Sequence, residues 1–182
     1  MESGGITLVR VTNARQVEVC ETYWREYGDW AVEQYRRLTG VVVEPDHDGF
    51  REELPAMLGD RGRLYLAELE GEPVATGALK LTDPEFAEIK RMYVRPPARG
   101  RGVSRLILTQ LIEDARLLAC HRVRLDTLHF MTEAQALYRS FGFVDAELYP
   151  ESETARAGIG DHTVYMELTI GPTEQDKTMG TK

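Results

Sequence analysis

The residues best suited to chemistry in this sequence form a short turn, Arg99-Gly100-Arg101-Gly102-Val103-Ser104. The two glycines let the backbone approach a ligand closely, because no Cβ stands in the way. An amphipathic helical pattern follows directly, and the first amide N–H groups of such a helix lack intrahelical acceptors and carry partial positive charge. Helix starts of this kind bind anions, most often phosphate. The turn therefore predicts a phosphate-bearing ligand.

Other chemical motifs are excluded by spacing. The turn lacks the lysine of a P-loop, and no third glycine follows at the step that a dinucleotide-binding turn requires. The sequence has neither a Cys/His cluster with zinc spacing nor a Ser/His/Asp order typical of a hydrolase. His129 and His162, near expected strand ends, are alternative bases, although loop histidines are usually solvated. A solvated basic loop is the alternative interpretation of the turn itself.

Periodicity and capping signals predict the elements that position the turn. Strands are expected at residues 6–12, on both sides of Gly71-Glu72, at 85–94, at 123–128, from 143 and at 162–170. Helices are expected from an Asn13/Gln16 capping box to an interruption at Gly28, from there to Gly40, over 48–58, over 103–120, and from a Thr132 cap with Gln135 to Ser140. Residues 149–161 are expected to form a long loop. The prediction is one α+β domain over 1–170, a mixed sheet with helices on its faces, followed by a disordered tail over 171–182.

Length and composition limit the class of protein. A chain of 182 residues with 42% hydrophobic and 29% charged residues is typical of one globular domain. Its apolar runs are too short to span a membrane, and its first residues do not resemble a signal peptide. Cys20 and Cys120 occupy apolar helical positions, which favours buried free thiols and a reducing cytoplasm. The net charge of −8 disfavours a nucleic-acid partner and mildly favours a cationic substrate.

Two motifs and the order of these elements resemble the GNAT superfamily of N-acetyltransferases. The turn at 99–104 is similar to that family's R/Q-x-x-G-x-G/A motif, and Ala134 through Leu137-Tyr138 to Phe141-Gly142-Phe143 is similar to its A-x-x-LY-x-x-x-GF helix. The resemblance covers residues 64–168. It implies the GNAT fold, an α+β three-layer arrangement whose mixed, mostly antiparallel sheet contains a splayed parallel strand pair and has helices on both faces. It also implies acetyl-CoA as co-substrate and no metal.

The resemblance implies how the coenzyme is held. Backbone amides of Arg99, Gly100, Arg101, Gly102, Val103 and Ser104 would bind the pyrophosphate. Backbone groups of Met92, Tyr93 and Val94 would face the pantetheine arm where the parallel strands splay. The basic run of Lys90, Arg91, Arg95, Arg99 and Arg101 is then best explained by the coenzyme phosphates. Two positions depart from the family pattern: Ser104 replaces Gly or Ala, and Met131 stands where Asn is frequent, which removes one polar contact or leaves it to water.

The resemblance also implies catalytic roles for two residues. Tyr138 lies at the family's general-acid position, where its phenolic proton would reach the coenzyme sulfur; the alternative is an aromatic side chain packed on the sheet. Glu88 lies eleven positions before Arg99, where many members carry a general base. A carboxylate in a central strand is unusual unless it is paired or functional. The alternative is a surface ion pair with Lys90 or Arg91.

Together these features predict a cytoplasmic acetyl-CoA-dependent N-acetyltransferase in which a small-molecule or amino-acid-like amine attacks directly. The alternative is a non-catalytic acyl-CoA-binding sensor or interaction module; transfer of a longer acyl chain, or to an alcohol, is a third possibility. Acceptor contacts are expected from residues 23–58 and 149–162. Acidic residues there mildly favour a cationic acceptor: Glu26, Asp29, Glu33, Glu151 and Glu153. No nucleic-acid or membrane partner is expected, and the chain is expected to be a monomer or homodimer.

Overall fold

The computed structural model describes residues 2–3, 5–150 and 152–171. The predicted tail lies outside the described residues from position 172 onward. The strands are β1 Glu2–Ser3, β2 Ile6–Arg10, β3 Gly62–Leu69, β4 Glu72–Leu81, β5 Phe86–Val94, β6 Arg122–Leu128, β7 Val144–Ala146 and β8 Thr163–Thr169. The helices are α1 Ala14–Thr39, α2 Gly49–Leu58, α3 Val103–Leu117, α4 Thr132–Ser140 and α5 Glu153–Arg156, with 3-10 turns at Pro96–Ala98 and Gly160–His162.

The described chain divides into two compact units. The first extends to Lys80 and includes Arg91–Leu111, whereas the second contains Leu81–Lys90 and the described residues from Ile112 onward. Strand β5 and helix α3 therefore contribute residues to both units. Among the helices of the described residues, none has the length and apolar character that crossing a membrane requires.

The first unit contains the antiparallel strand order β1-β2-β3-β4. The predicted β3–β4 hairpin forms, with Leu69 opposite Glu72. The turn lies one residue before the predicted Gly71-Glu72, since Glu72 already pairs with Leu69, and its two residues, Glu70 and Gly71, have φ of 55° and 84°. A two-residue turn with both φ values positive matches the twist of the strands it joins.

Helix α1 begins at the predicted cap but does not break where predicted. The Asn13 side chain accepts the Gln16 amide N–H at 3.0 Å, and the Gln16 side chain accepts the Thr12 amide N–H at 2.8 Å. The expected interruption at Gly28 is wrong, because α1 continues through it to Thr39. One glycine costs a helix roughly 1 kcal/mol, which the packing of a long amphipathic face offsets. Gly40 ends the helix in the left-handed conformation, as predicted.

The core of the first unit lies between α1, α2 and the β3–β4 strands. Its fully buried members come from all of these elements: Cys20, Phe50, Met57, Leu64, Leu66 and Ala78. On β4, Gly77 allows α3 to approach, since an added Cβ would lie 2.4 Å from Ile107 Cγ2. Cys20 and Cys120 are both buried free thiols, as predicted.

The second unit has the strand order β5-β6-β8-β7. Among the described residues, parallel pairing of β5 with β6 covers only Phe86–Glu88 opposite Arg122–Arg124, although β6 continues to Leu128. Antiparallel pairing joins β6 to β8 along the whole length of β6, and β7 adds to the other edge of β8. The unit is therefore a mixed sheet with one short parallel pair.

Three element boundaries in this unit differ from prediction. Helix α3 ends at Leu117 rather than residue 120, because Ala119 takes φ 59° and the Cys120 N–H bonds the Ala115 carbonyl, a Schellman cap. The expected Thr132 cap is wrong, since Met131 precedes α4 and the Gln135 side chain donates instead to the Leu128 and His129 carbonyls. The predicted 149–161 loop contains α5 and a 3-10 turn.

Candidate active site

The 99–104 turn presents an open, glycine-lined backbone at the start of α3. Gly100 and Gly102 have φ of 72° and 84°, and a Cβ at either would meet no atom within 4 Å. The Gly102 carbonyl accepts the Leu106 N–H at 3.1 Å, so the helix begins there. Positions 99–102 are exposed, whereas Val103 is buried and Ser104 half-buried. An exposed helix start with open backbone around it can bind an anion such as phosphate, and the predicted pyrophosphate contacts of this turn stay a prediction.

The Arg99 side chain is hydrogen-bonded to the end of the preceding strand, β5. Its Nε donates to the Val94 carbonyl at 3.1 Å, and its guanidinium carbon lies 5.9 Å from the centroid of the Trp30 ring. That distance is near the outer limit of a cation–π contact. Its charge is thus held beside the turn. Met92 and Tyr93 are half-buried, and the predicted backbone contacts of Met92–Val94 to the coenzyme stay a prediction.

The basic run expected to face coenzyme phosphates is instead divided by ion pairs within the chain. Arg91 is buried, with Nη2 at 2.9 Å from Glu53 and its guanidinium stacked 3.7 Å above the Trp24 ring. Arg95 Nε lies 3.2 Å from Glu26. The expectation that the whole run meets phosphates is therefore wrong, because these side chains join α1 and α2 to β5.

Glu88 is buried in β5, with 2% of its surface exposed. The ammonium of Lys90, also buried, lies 3.6 Å from Glu88 Oε1 and 3.3 Å from Glu153 Oε2 on α5. The surface ion pair considered from sequence is thus a buried one that uses Lys90. Glu88 and Lys90 thus form a buried pair that α5 joins through Glu153, and the role of Glu88 as general base stays a prediction.

Tyr138 is buried on α4, with its ring centroid 5.9 Å from that of Phe143. Burial, and then the charge of Asp126, raise the pKa of the Tyr138 phenol well above its usual range. The hydroxyl therefore keeps its proton at neutral pH, as a general acid must. Packing and proton donation are compatible for this side chain.

A series of hydroxyl groups that the sequence reasoning missed ends at Asp126. Thr154 Oγ1 donates to Asp126 Oδ2 at 2.6 Å. Because Thr154 has a single hydroxyl hydrogen, Tyr165 is the donor in the 3.2 Å contact between their oxygens, and Ser152 donates to Tyr165 at 3.4 Å. The signal that would have indicated this site is an acidic residue in the middle of the strand-like run VRLDTL, the same signal that marked Glu88.

Tyr149 lies beside this hydroxyl series. Its ring centroid is 5.4 Å from that of Tyr165, in an edge contact. Burial, followed by the charges of Asp126 and Glu88, raises the pKa of the Tyr149 phenol far above its usual range. Within the part of the chain that the structure describes, its buried hydroxyl has no hydrogen-bond partner. Sequence reasoning did not single out this residue.

The remaining residues singled out from sequence have structural surroundings without evident chemistry. His129 and His162 are exposed, and the His129 N–H donates to the His162 carbonyl at 2.9 Å. Met131 caps α4 through its backbone, and its sulfur accepts a hydrogen bond from the Thr127 hydroxyl at 3.4 Å. A thioether supplies no hydrogen-bond donor where an amide would supply two.

Acidic residues expected to attract a cationic acceptor from α1 are engaged within the chain. Glu33 pairs with both arginines of the last turn of α1, at 2.9 and 2.7 Å. Asp29 lies 3.3 Å from His47 Nε2. These contacts within the chain weaken the steering argument for this group, and Glu151 lies outside the described residues.

Residues 17–143 match the family model described as the Acetyltransferase (GNAT) family. The chain belongs to this family. It is an acetyltransferase, which confirms the family, the fold class and the enzyme class predicted from sequence. One relative is an uncharacterized N-acetyltransferase, YjgM of Escherichia coli K12, 33% identical over 65% of this chain and 68% of its own length. Another is the IAA acetyltransferase of Azospirillum brasilense, 34% identical over 46% of this chain; the match spans about half (55%) of that relative.

Solved structures share the fold at low sequence identity. A GNAT-family acetyltransferase from Staphylococcus aureus Mu50 has a TM-score of 0.69 at 15% identity, covering 91% of this chain and 99% of its own. The yncA putative acetyltransferase of Salmonella typhimurium, solved with its cofactor acetyl-CoA, has a TM-score of 0.61 at 17% identity, covering 94% and 97%. At these identities the likeness concerns the fold alone.

Proposed function

We propose that this acetyltransferase transfers the acetyl group of acetyl-CoA to the amine of a small-molecule or amino-acid-like acceptor by direct attack. The 99–104 turn would bind the coenzyme pyrophosphate, and Met92–Val94 the pantetheine arm. The observation that carries the proposal is the turn itself: two left-handed glycines with open space around them begin a helix. Together with family membership, this geometry favours a coenzyme phosphate over any other anion.

Glu88 and Tyr138 supply the proposed proton transfers. Glu88 takes a proton from the acceptor ammonium, directly or through water, so that the neutral nitrogen can attack the thioester carbon. As the carbon–sulfur bond breaks, Tyr138 donates its phenolic proton to the sulfur. A strand amide near Met92 stabilises the negative charge that develops on the carbonyl oxygen. The nitrogen loses two protons in all, of which one replaces the proton of Tyr138 and the other leaves to solvent.

Release of free thiol from acetyl-CoA over a panel of amines tests this proposal. Glu88→Gln is expected to lower kcat/KM by about 10²–10⁴-fold, since a positioned base contributes that much, while coenzyme affinity stays unchanged. Glu85→Gln is the control, because Glu85 is exposed just before the same strand. If Glu88→Gln turns over at the wild-type rate, the base is assigned wrongly.

Coenzyme titration by calorimetry separates this proposal from its rival. Tight coenzyme binding without turnover over the whole amine panel would identify the non-catalytic acyl-CoA-binding module instead. Acyl-chain length is tested in the same assay with longer acyl-CoA esters. We also propose that the protein acts in the cytoplasm, as a monomer or homodimer.

A further inference from the structure

Three consecutive valines at positions 41–43 follow α1 without entering the sheet. β-Branched residues favour strands, yet residues 41–46 form no regular secondary structure. Val41 and Val42 are 49% and 71% exposed, and Leu38, in the last turn of α1, is 64% exposed. Neighbouring exposed apolar side chains indicate an interaction surface more often than isolated ones do. Residues 41–44 are called the valine segment below.

The valine segment is held in place at both ends. Before it, the Gly40 N–H donates to the Arg36 carbonyl at 2.9 Å, which ends α1. After it, the Asp46 carbonyl accepts the indole N–H of Trp24 at 2.9 Å. A segment fixed in this way has already lost part of the conformational entropy that binding would cost.

The backbone of the valine segment is extended and unpaired. Within the described residues, the amide groups of Val42, Val43 and Glu44 have no hydrogen-bond partner. Side chains from position 42 to 46 alternate between exposed and half-buried, which is the pattern of an extended chain. An exposed and unpaired extended backbone is a template for pairing with another strand. Pro45 has no N–H, so pairing is limited to the positions before it.

The charges on the two sides of the valine segment are opposite. Arg36 and Arg37 lie before it and share one carboxylate, that of Glu33. Glu44 and Asp46, both exposed, lie at its end and beyond it. Antiparallel pairing of two copies places the basic side of one beside the acidic side of the other, whereas parallel pairing would place like charges together. The segment is therefore complementary to itself about a two-fold axis.

We propose that the valine segment is a self-association surface, on which residues 41–44 of two copies of this chain pair antiparallel about a two-fold axis. The exposed side chains of Leu38, Val41 and Val42 from both copies are buried in this contact. A standard interface uses roughly 20–30 residues a side, so a contact built around four residues gives a weak dimer that exchanges with the monomer. The inference is independent of the proposed reaction.

Sedimentation equilibrium of the full chain over a range of concentrations tests the proposal. Val42→Lys should raise the dimer Kd by about tenfold or more, because it places a charge in the apolar contact. Val144→Lys is the matched control, since Val144 is 64% exposed on the edge strand β7, and it should leave the Kd unchanged. Equal losses in the two variants, or an unchanged Kd in Val42→Lys, would overturn the proposal.

A charge exchange tests the antiparallel direction. Glu44→Lys and Arg37→Glu should each weaken self-association, because each brings like charges together at both ends of the two-fold contact. An equimolar mixture of the two variants should associate again, since the mixed pair has opposite charges at both ends. A mixture that stays as monomeric as its components would exclude this arrangement.

Hydrogen exchange locates the contact on the backbone. At least one amide hydrogen of residues 42–44 should exchange more slowly at high protein concentration than at low concentration. A wild-type mass of one chain at concentrations up to about 1 mM overturns the proposal. So does a monomeric wild type whose 42–44 amides are protected only by an added peptide of alternating Lys and Val, because the partner is then not a second copy.

Discussion

At the residue scale, burial raises the proton affinity of two tyrosines in the second unit, Tyr138 and Tyr149. The pKa of both Tyr138 and Tyr149 is raised first by burial and next by Asp126. One carboxylate thus acts on two phenols and keeps both protonated at neutral pH. For Tyr138 this preserves a proton to donate, and for Tyr149 it preserves a neutral hydroxyl.

Replacing Tyr138 with Phe is expected to lower kcat by about 10²-fold, since a general acid contributes at least that much. Because the pKa of the phenol is raised, the acid form persists as pH rises, and wild-type kcat should show no falling limb from this group below pH ~10. The pH profile of kcat for both proteins checks this, with coenzyme affinity as the control. A wild-type falling limb near pH 8 that Tyr138→Phe abolishes would contradict the raised pKa.

Cys20 should be inert in the native protein. Burial raises the pKa of its thiol to about 11, against a smaller opposite effect of the hydrogen bond from Thr76. At pH 8 the thiolate fraction should therefore be about a hundredfold lower than for an unperturbed thiol. Alkylation by iodoacetamide, followed by peptide mass spectrometry, should label Cys20 slowly in buffer and quickly in denaturant. Equal rates in the two conditions would show that the thiol is accessible.

At the scale of elements, the 99–104 turn depends on backbone shape more than on side chains. Both glycines have positive φ in open space, so any substitution there strains the backbone without creating a clash. A side chain in the left-handed conformation costs about 1–2 kcal/mol. Affinity for phosphate should therefore respond to substitutions that leave the charge of the turn unchanged.

Gly100→Ala is expected to weaken coenzyme binding by roughly tenfold, because about 1–2 kcal/mol of strain is relieved by moving the amides that bind phosphate. Gly71→Ala is a matched control: Gly71 has φ of 84° and equally open surroundings, but lies in the β3–β4 hairpin. Both variants should lose similar stability in denaturant titrations, and only Gly100→Ala should lose affinity by calorimetry. Equal affinity in the two variants would exclude the turn as the phosphate site.

The ion pair that joins α1 to α2 should contribute less to the stability of the fold as pH falls. Arg51 donates to both oxygens of Glu21, at 2.8 and 2.6 Å, and Arg25 donates at 3.1 Å. The hydrogen bond from Arg51 is the main reason that the pKa of Glu21 is lowered. A lowered pKa stabilises the fold above the unfolded value of about 4.3, and this contribution is lost as pH falls through the folded pKa.

Glu21→Gln should accordingly lower the free energy of unfolding by about 1 kcal/mol at pH 7, and the difference from wild type should shrink as pH falls below the unfolded pKa of about 4.3. Urea titrations at several pH values measure this. Glu18→Gln, exposed one turn earlier on α1, should be neutral throughout. A constant difference at all pH values would mean that packing, and not charge, is responsible.

Local signals predicted the elements well where the partner lies within a few residues. The Asn13 cap and the Gly40 helix end form as expected, and the hairpin turn predicted at Gly71-Glu72 lies one residue earlier, at Glu70-Gly71. Predictions failed where distant packing competes with local preference. Helix α1 passes through Gly28 because its apolar face is buried, and the Gln135 side chain turns to strand-end carbonyls.

At the scale of the whole molecule, the family and the sheet type could be predicted from the sequence, whereas the partners of the buried charges could not. The anion-binding role of the 99–104 turn stays a prediction. Glu88 was singled out by its strand position, yet its contact to Lys90 is shared with Glu153, sixty-five positions later. Asp126 accepts a hydrogen bond from Thr154 only because β6 and α5 fold together. Contacts of this kind depend on the tertiary fold and leave no local pattern.

Coenzyme A is expected to stabilise the whole chain. At a free concentration of about 100 times Kd, binding adds roughly 2.7 kcal/mol, which corresponds to about 5–10 °C in melting temperature for a chain of this size. Scanning fluorimetry with and without coenzyme measures the shift, and the gain should be reduced in Gly100→Ala. Absence of any shift at millimolar coenzyme would contradict the proposed binding site.

The backbone conformation of β5 at Arg91 depends on side-chain contacts to helices α1 and α2. Arg91 has a φ of 56°, which would suit glycine, but its side chain stacks on Trp24 and bonds Glu53 and the Gly49 carbonyl. Backbone and side chain therefore place opposite demands on one position, a case of local frustration. The left-handed backbone at this position of β5 is therefore stabilised by contacts to two helices, α1 and α2. Drift at Trp24 or Glu53 during evolution would thus alter the strand without any change in its own sequence.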